Sequence, residues 1–301
     1  MASRLFKPKN VRIIVGLTAG GVFCFNAVPL LFPGNTVGRI YHSYKDGTRS
    51  PISEQCREEF DEVCRDLGIK NARSYRLFPS FGTQIHTAGL PWLPGGVPFG
   101  VPDSFVMQTT GDVKRNMKLA LHKIDWESDD GNALAESLLL SRNARKFYIA
   151  RELMEVKTSS ALMPTVVAPA FIIATFTGNQ VLQVLFRQTP PGFITLCAAC
   201  MGVLAYLGMA GLVYNAVETG ADKTVARVSG DYAKGGVEFY GKLLRKNQNL
   251  RKLLGKKGER MYSYYGNENM SALNFRPAIT ERRKAVGEVY TQMRKTESET
   301  P

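Results

Sequence analysis

Three stretches interrupt the usual mixture of apolar and charged positions. Ile13–Phe32 carries no charge over 20 residues and is rich in Ile, Val, Leu and Phe. At 1.5 Å per helical residue it reaches across a hydrocarbon core of about 30 Å. Ala161–Gly178 is the second stretch. Pro164 and Pro169 bend a helix there without excluding a span, because neighbouring helices satisfy the freed carbonyls. Gly192–Tyr214, 23 residues long, is the third and clearest. The polar run Gln188-Thr189-Pro190-Pro191 joins the last two, so they are predicted to form a transmembrane hairpin. The first stretch resembles a cleaved signal peptide as well, but its apolar run is long for one and fits an uncleaved anchor better. Gly16 and Gly20 are four apart, as are Ala198 and Gly202, a spacing that lets helix backbones approach.

Between the spans the period changes. Ile52, Cys56, Phe60, Val63, Cys64 and Leu67 recur at helical spacing, predicting a helix over Pro51–Leu67 that ends at Gly68. Prolines and glycines then cluster around Trp92, with short apolar runs at Val97–Val106 and Met117–Ile124, so Tyr75–Asp125 is predicted as a few short strands with tight turns. Gly131–Lys157 and Val237–Leu254 are predicted helices, the latter capped by Gly255. The last twenty or so residues are polar and are expected to be loose.

The fold class that follows is an α+β membrane protein, with three transmembrane helices and one α+β domain interrupted by a transmembrane hairpin. The predicted segments are a basic N-terminal segment over 1–12, a span over 13–32 and an α+β soluble region over 33–160. Spans over 161–178 and 192–214 flank a short turn at 179–191, and a basic helical region covers 215–301. Because the hairpin returns the chain to its starting side, the soluble parts before and after it share a compartment.

Charge sharpens this picture. The net charge of +13 sits at the ends. Residues 1–12 carry four basic groups and no acid, and residues 217–301 carry 17 basic and 10 acidic groups, while 33–161 is nearly balanced at 17 and 16. The basic, acid-free N-terminus fits mitochondrial import, or a bacterial or secretory anchor. The basic tail fits a solvated helix or contact with anionic lipid; the run Lys242–Arg260 lacks a stacking platform for nucleic acid.

Candidate chemistry is sparse. His42, His86 and His122 are the only histidines, none four from another, so no helix here carries H-E-x-x-H. Phosphate-loop and nucleophile-elbow motifs are absent. Cys197 and Cys200 form C-x-x-C inside an apolar span and read as packing residues, and Cys56 and Cys64 lie too far apart on one helix to bond. Asn269-Met270-Ser271 matches a glycosylation sequon, a triplet frequent by chance. The helix before the hairpin, Ala150-Arg151-Glu152-Leu153-Met154-Glu155, resembles the zinc helix of HtpX-type membrane metalloproteases, which also place a hairpin before a later helix that supplies the third ligand. Arg151 and Glu155 occupy the two ligand positions, and the simpler reading is an ordinary surface ion pair at i,i+4.

Three stretches are similar to the transmembrane protein 177 family: Leu138–Ser159 (LLLSRNARKFYIARELMEVKTS), Leu90–Phe105 (LPWLPGGVPFGVPDSF) and above all Gly235–Tyr262 (GGVEFYGKLLRKNQNLRKLLGKKGERMY). The resemblance implies a multi-pass protein of the mitochondrial inner membrane without enzymatic activity, cofactor or metal. Its implied partners are newly made cytochrome c oxidase subunit 2 and the membrane chaperone that handles it; the charge pattern adds membrane lipid as an expected partner and no nucleic acid. The alternatives are a diverged, metal-free HtpX-like relative and a lipid-binding inner-membrane protein. Candidate partner contacts are Trp92 and Phe99 on the aromatic loop, and Gly235, Gly236, Glu238 and Tyr240 at the start of the last predicted helix; internal packing is the simpler reading of both sets.

Overall fold

The computed structural model describes residues 8–45, 47–117, 124–269 and 276–299. The run Met117–Ile124 therefore lies mostly outside the described residues, as do His122, most of the sequon and the first seven positions.

Helix α1 (Pro8–Leu31) is the first span. A short helix α2 (Val37–Ile40) and a two-stranded ribbon, β1 (Tyr44–Lys45) with β2 (Thr48–Arg49), lead into α3 (Glu54–Asp66). Helix α3 buries Cys56, Phe60, Val63 and Cys64, the stripe the sequence predicts, and Gly68 leaves the helix at φ +61.

Strand β3 (Tyr75–Ser80) runs parallel to β5 (Val97–Pro102), and β4 (His86–Thr87) pairs antiparallel with the other side of β5. The order β3-β5-β4 puts β5 in the centre, where all six of its residues are buried. The predicted run to Val106 stops being a strand at Pro102, because Asp103–Val106 coils into a 3-10 turn. The Ser43 hydroxyl holds the Asp103 carboxylate there at 2.6 Å.

Helices α4 (Thr110–Asn116), α5 (Asp129–Leu138) and α6 (Arg142–Lys157) follow. The single helix predicted over Gly131–Lys157 is thus two. The break has a local cause: the Ser141 hydroxyl accepts a hydrogen bond from Ala144 N–H as N-cap, while donating to Glu238 at 2.6 Å. Helices α7 (Leu162–Leu185) and α8 (Pro191–Ala226) are the hairpin. At 36 residues, α8 is about 54 Å long, well beyond the hydrocarbon thickness. Its last turns therefore stand in the soluble domain, where Glu218, Ala221, Asp222, Val225 and Ala226 are buried. The expected boundary near Tyr214 marks where the helix leaves the apolar zone, and the helix itself continues.

Helix α9 (Gly230–Leu253) starts a turn and more earlier than Val237, capped by Ser229, and Gly255 (φ +53) opens the short α10 (Lys256–Met261). Residues expected to be loose form α11 (Ile279–Glu299), which packs on α9 and α8 and buries Arg282, Val286 and Val289.

One hydrophobic core joins α3, the sheet, α6, the end of α8, α9 and α11, so segments on both sides of the hairpin build it. A second, smaller cluster fills the space between α4, α5 and the end of α9. In the membrane layer α7 packs against both α1 and α8. Gly202 lets α8 meet α7 closely: a Cβ there would lie 2.2 Å from the Thr175 hydroxyl. At Gly16 and Gly20, by contrast, an added Cβ would meet nothing within 4 Å among the described residues.

Candidate functional site

The functional side chains converge where α8 enters the domain. Helix α6 presents Arg151, Glu152 and Glu155, and α8 presents Glu218 and Asp222, one turn apart. Helix α9 adds Tyr240, α11 adds Arg282, and Arg276 lies just before α11. Arg151 Nη1 binds Glu152, and its Nη2 binds Glu155 and lies 3.6 Å from Glu218. Its Nε lies 3.2 Å from Asp222 but makes no hydrogen bond. Arg282 donates Nε to Asp222 Oδ2 at 2.7 Å, Nη2 to Asp222 Oδ1 at 2.9 Å and Nη1 to Glu218 at 2.6 Å. Tyr240 donates its hydroxyl to Asp222 Oδ1 at 2.7 Å, and Arg276 pairs with Glu218 at 3.3 Å.

Arg151, Glu218, Asp222 and Arg282 are buried. The Arg151–Glu155 pair is therefore a correction to the sequence reading: it belongs to an internal network, because α8 and α11 close over that face of α6. Three guanidiniums face four carboxylates, leaving one negative charge in excess. Burial answers the excess by pushing the Glu155 carboxyl up to about 7, and Glu152 is raised for the same reason. Burial also holds the Tyr240 phenol protonated, well above its ordinary range.

A cavity of about 660 Å³ opens beside this junction, with β4, α6, α9 and Arg282 among its walls. His86 in its wall stacks on Tyr41 at 3.8 Å between ring centroids, and burial lowers its pKa. His42 is outside the cavity lining and stacks on Phe78 at 5.5 Å between ring centroids. Among the described residues no three His, Cys, Asp or Glu side chains converge to hold a metal ion. Each carboxylate of the junction instead engages a guanidinium, an arrangement suited to locking four helices together. The Cys56 and Cys64 thiols are buried in the core, which pushes them up to about 11 and about 12 and keeps them protonated.

Most of the candidate partner contacts lie inside. Phe99 is fully buried at the centre of β5. Gly235 and Gly236 are where α9 crosses α6; Cβ atoms there would lie 2.3 Å from Asn143 O and 2.6 Å from the Phe147 ring. Tyr240 is buried in the charged junction. These four are corrected to packing residues, since the surface they were to offer is taken up by the chain itself. Glu238 is half-buried and caps α6 through Ser141. Trp92 alone stands out, 65% exposed. Sequence reasoning missed Glu218, Asp222 and Arg282. The signal available was an acidic pair at i,i+4 directly after the most apolar stretch, a position that must be paired if buried.

These observations define a class: a three-span membrane protein whose α+β domain is assembled from both sides of a hairpin and locked at its root by buried ion pairs. The family model for transmembrane protein 177 matches residues 115–271. Similar proteins include "Transmembrane protein 177" of Homo sapiens, 35% identical over 84% of each chain. The protein of that name from Danio rerio is 34% identical over 87% of this chain and 86% of its own, and that from Mus musculus 30% over 93% of each. The chain belongs to the transmembrane protein 177 family. No solved structure matches it.

Proposed function

We propose that the protein is a non-enzymatic assembly factor of the mitochondrial inner membrane, holding newly made cytochrome c oxidase subunit 2 and its membrane chaperone during complex IV biogenesis. The observation that carries this reading is the junction itself. Where a membrane metalloprotease would hold a metal ion, Arg151 and Arg282 pair with the surrounding carboxylates, and the cluster's chemistry serves cohesion. The spans supply the complementary feature. Only 17%, 17% and 11% of their most apolar stretches is buried within the chain, which leaves wide apolar faces for the helices of a client. Binding there stabilises a client by mass action and covers apolar surface from proteases. The basic N-terminal segment supports import into mitochondria.

The test is capture of the tagged full-length protein after labelling of new mitochondrial translation products. Enrichment of labelled subunit 2 over the other labelled products is expected; equal recovery of all of them overturns the reading.

A further inference from the structure

A second cavity, of about 420 Å³, lies at the membrane-facing edge of the domain, with Ile69, Lys70, Tyr75, Trp92, Lys157 and Ser159 among its walls. Its depth relative to the bilayer follows from two chain crossings. The glycine-rich loop that carries Trp92 packs on the residues just after α1: a Cβ on Gly95 would lie 3.0 Å from Pro33 and 3.5 Å from the Leu31 carbonyl, and one on Gly89 2.9 Å from Pro33. The opposite wall contains Ser159, which turns the chain (φ 53) between α6 and the start of α7 at Leu162. The cavity thus sits between the points where two packed spans leave the bilayer, at the level of the lipid headgroups.

The side chains match that level. Trp92 exposes an amphipathic ring, a residue type enriched at the membrane–water boundary. Lys70 and Lys157 are exposed beside it, and neither is held in an ion pair among the described residues. Beside the two cations and the indole, Ile69, Tyr75 and Pro91 make the wall largely apolar, with Asn71 a polar member. A cationic rim over an apolar wall, next to a bilayer, is complementary to a phosphate with an acyl chain attached.

We infer that this cavity binds an anionic phospholipid, with Lys70 and Lys157 on the phosphate and Trp92 against the glycerol and upper acyl region. The site goes beyond the assembly reading and does not depend on it. A client polypeptide is the competing occupant; it would also cover Trp92 but would not follow lipid charge.

The experiment uses the full chain in phosphatidylcholine vesicles, with Trp126→Phe leaving Trp92 as the only indole and circular dichroism confirming the fold. Brominated phosphatidylglycerol and brominated phosphatidylcholine are compared at equal mole fraction as quenchers. The anionic lipid is expected to be preferred about fivefold, and Lys70→Gln with Lys157→Gln to abolish the preference without loss of quenching by the neutral lipid. Equal quenching by the two lipids overturns the inference, as does an indole that neither lipid reaches, the result for a loop in water or under protein. Soluble glycerol phosphate is added in a parallel arm. Loss of the preference there at low concentration would make the site one for a free phosphate and overturn the lipid assignment.

Discussion

Arg282 grips Asp222 with two nearly parallel hydrogen bonds, 2.7 and 2.9 Å, joining the last helix of the chain to the root of a membrane-spanning one. The two residues are sixty positions apart, and Tyr240 shares the same carboxylate. Arg151, on the helix before the hairpin, approaches the same carboxylate with its Nε at 3.2 Å, so soluble segments separated by the hairpin meet at this one aspartate.

Asp222→Asn leaves Arg282 and Arg151 buried beside a neutral amide. Breaking one partner of a buried pair typically costs about 3–5 kcal/mol, so a clear fall in Tm of the detergent-solubilised protein is expected. Arg282→Lys keeps the charge but loses the fork and should fall between the two. Thermal unfolding followed by circular dichroism checks both; a Tm unchanged in Asp222→Asn contradicts the role given to the pair.

Stability should also depend on pH through Glu155. Its folded-state pKa, about 7, lies above its ordinary 4.5, so the folded protein binds the proton more tightly than the unfolded chain. The contribution is full below about 4.5 and is lost as pH rises through 7, amounting to at most about 3 kcal/mol. Glu155→Gln mimics the protonated form. Denaturant titrations across that window are expected to show a flatter profile for the variant than for the wild type; parallel profiles would contradict the buried, charge-excess environment.

Close packing gives a contrast between glycines. Gly236→Ala places a methyl group against the Phe147 ring and is expected to destabilise by about 1–3 kcal/mol, whereas Gly16→Ala meets open space and should be neutral or slightly favourable. Equal effects in the two variants would refute the close approach of α9 to α6.

The likeness of α6 to a zinc-binding helix has a spatial consequence. Arg151→His with Glu155→His creates H-E-x-x-H facing Glu218, whose carboxylate lies 3.6 Å from the Arg151 side chain. Zinc is expected to raise the Tm of the double variant and leave that of the wild type unchanged. Absence of any zinc-dependent shift would show that the three positions do not converge as a metal site.

The membrane layer and the core stripe of α3 were legible because they rest on simple periods: uninterrupted apolar runs, and Cys56, Phe60, Val63 and Cys64 at helical spacing. Helix α11 was hidden because its inward face mixes Arg282 with Val286 and Val289, so a charged residue does the work of an apolar one. The junction was illegible for the same reason, amplified by distance: Arg151 announces only its neighbour Glu155, while its other partners enter from α8 and α11. Gly235 and Gly236 stood as candidate partner contacts because a sequence shows the missing side chain and not the helix that occupies its place. Trp92 escaped burial for a reason that composition also conceals, namely that its loop lies beside two membrane crossings.

Pulse-chase labelling of mitochondrial translation products, with and without the protein, measures the proposed activity itself. Newly made cytochrome c oxidase subunit 2 should decay faster when the protein is removed and recover its lifetime when the full chain is restored, while other labelled subunits are unaffected at early times. A subunit 2 lifetime that does not change on removal would contradict the proposed role.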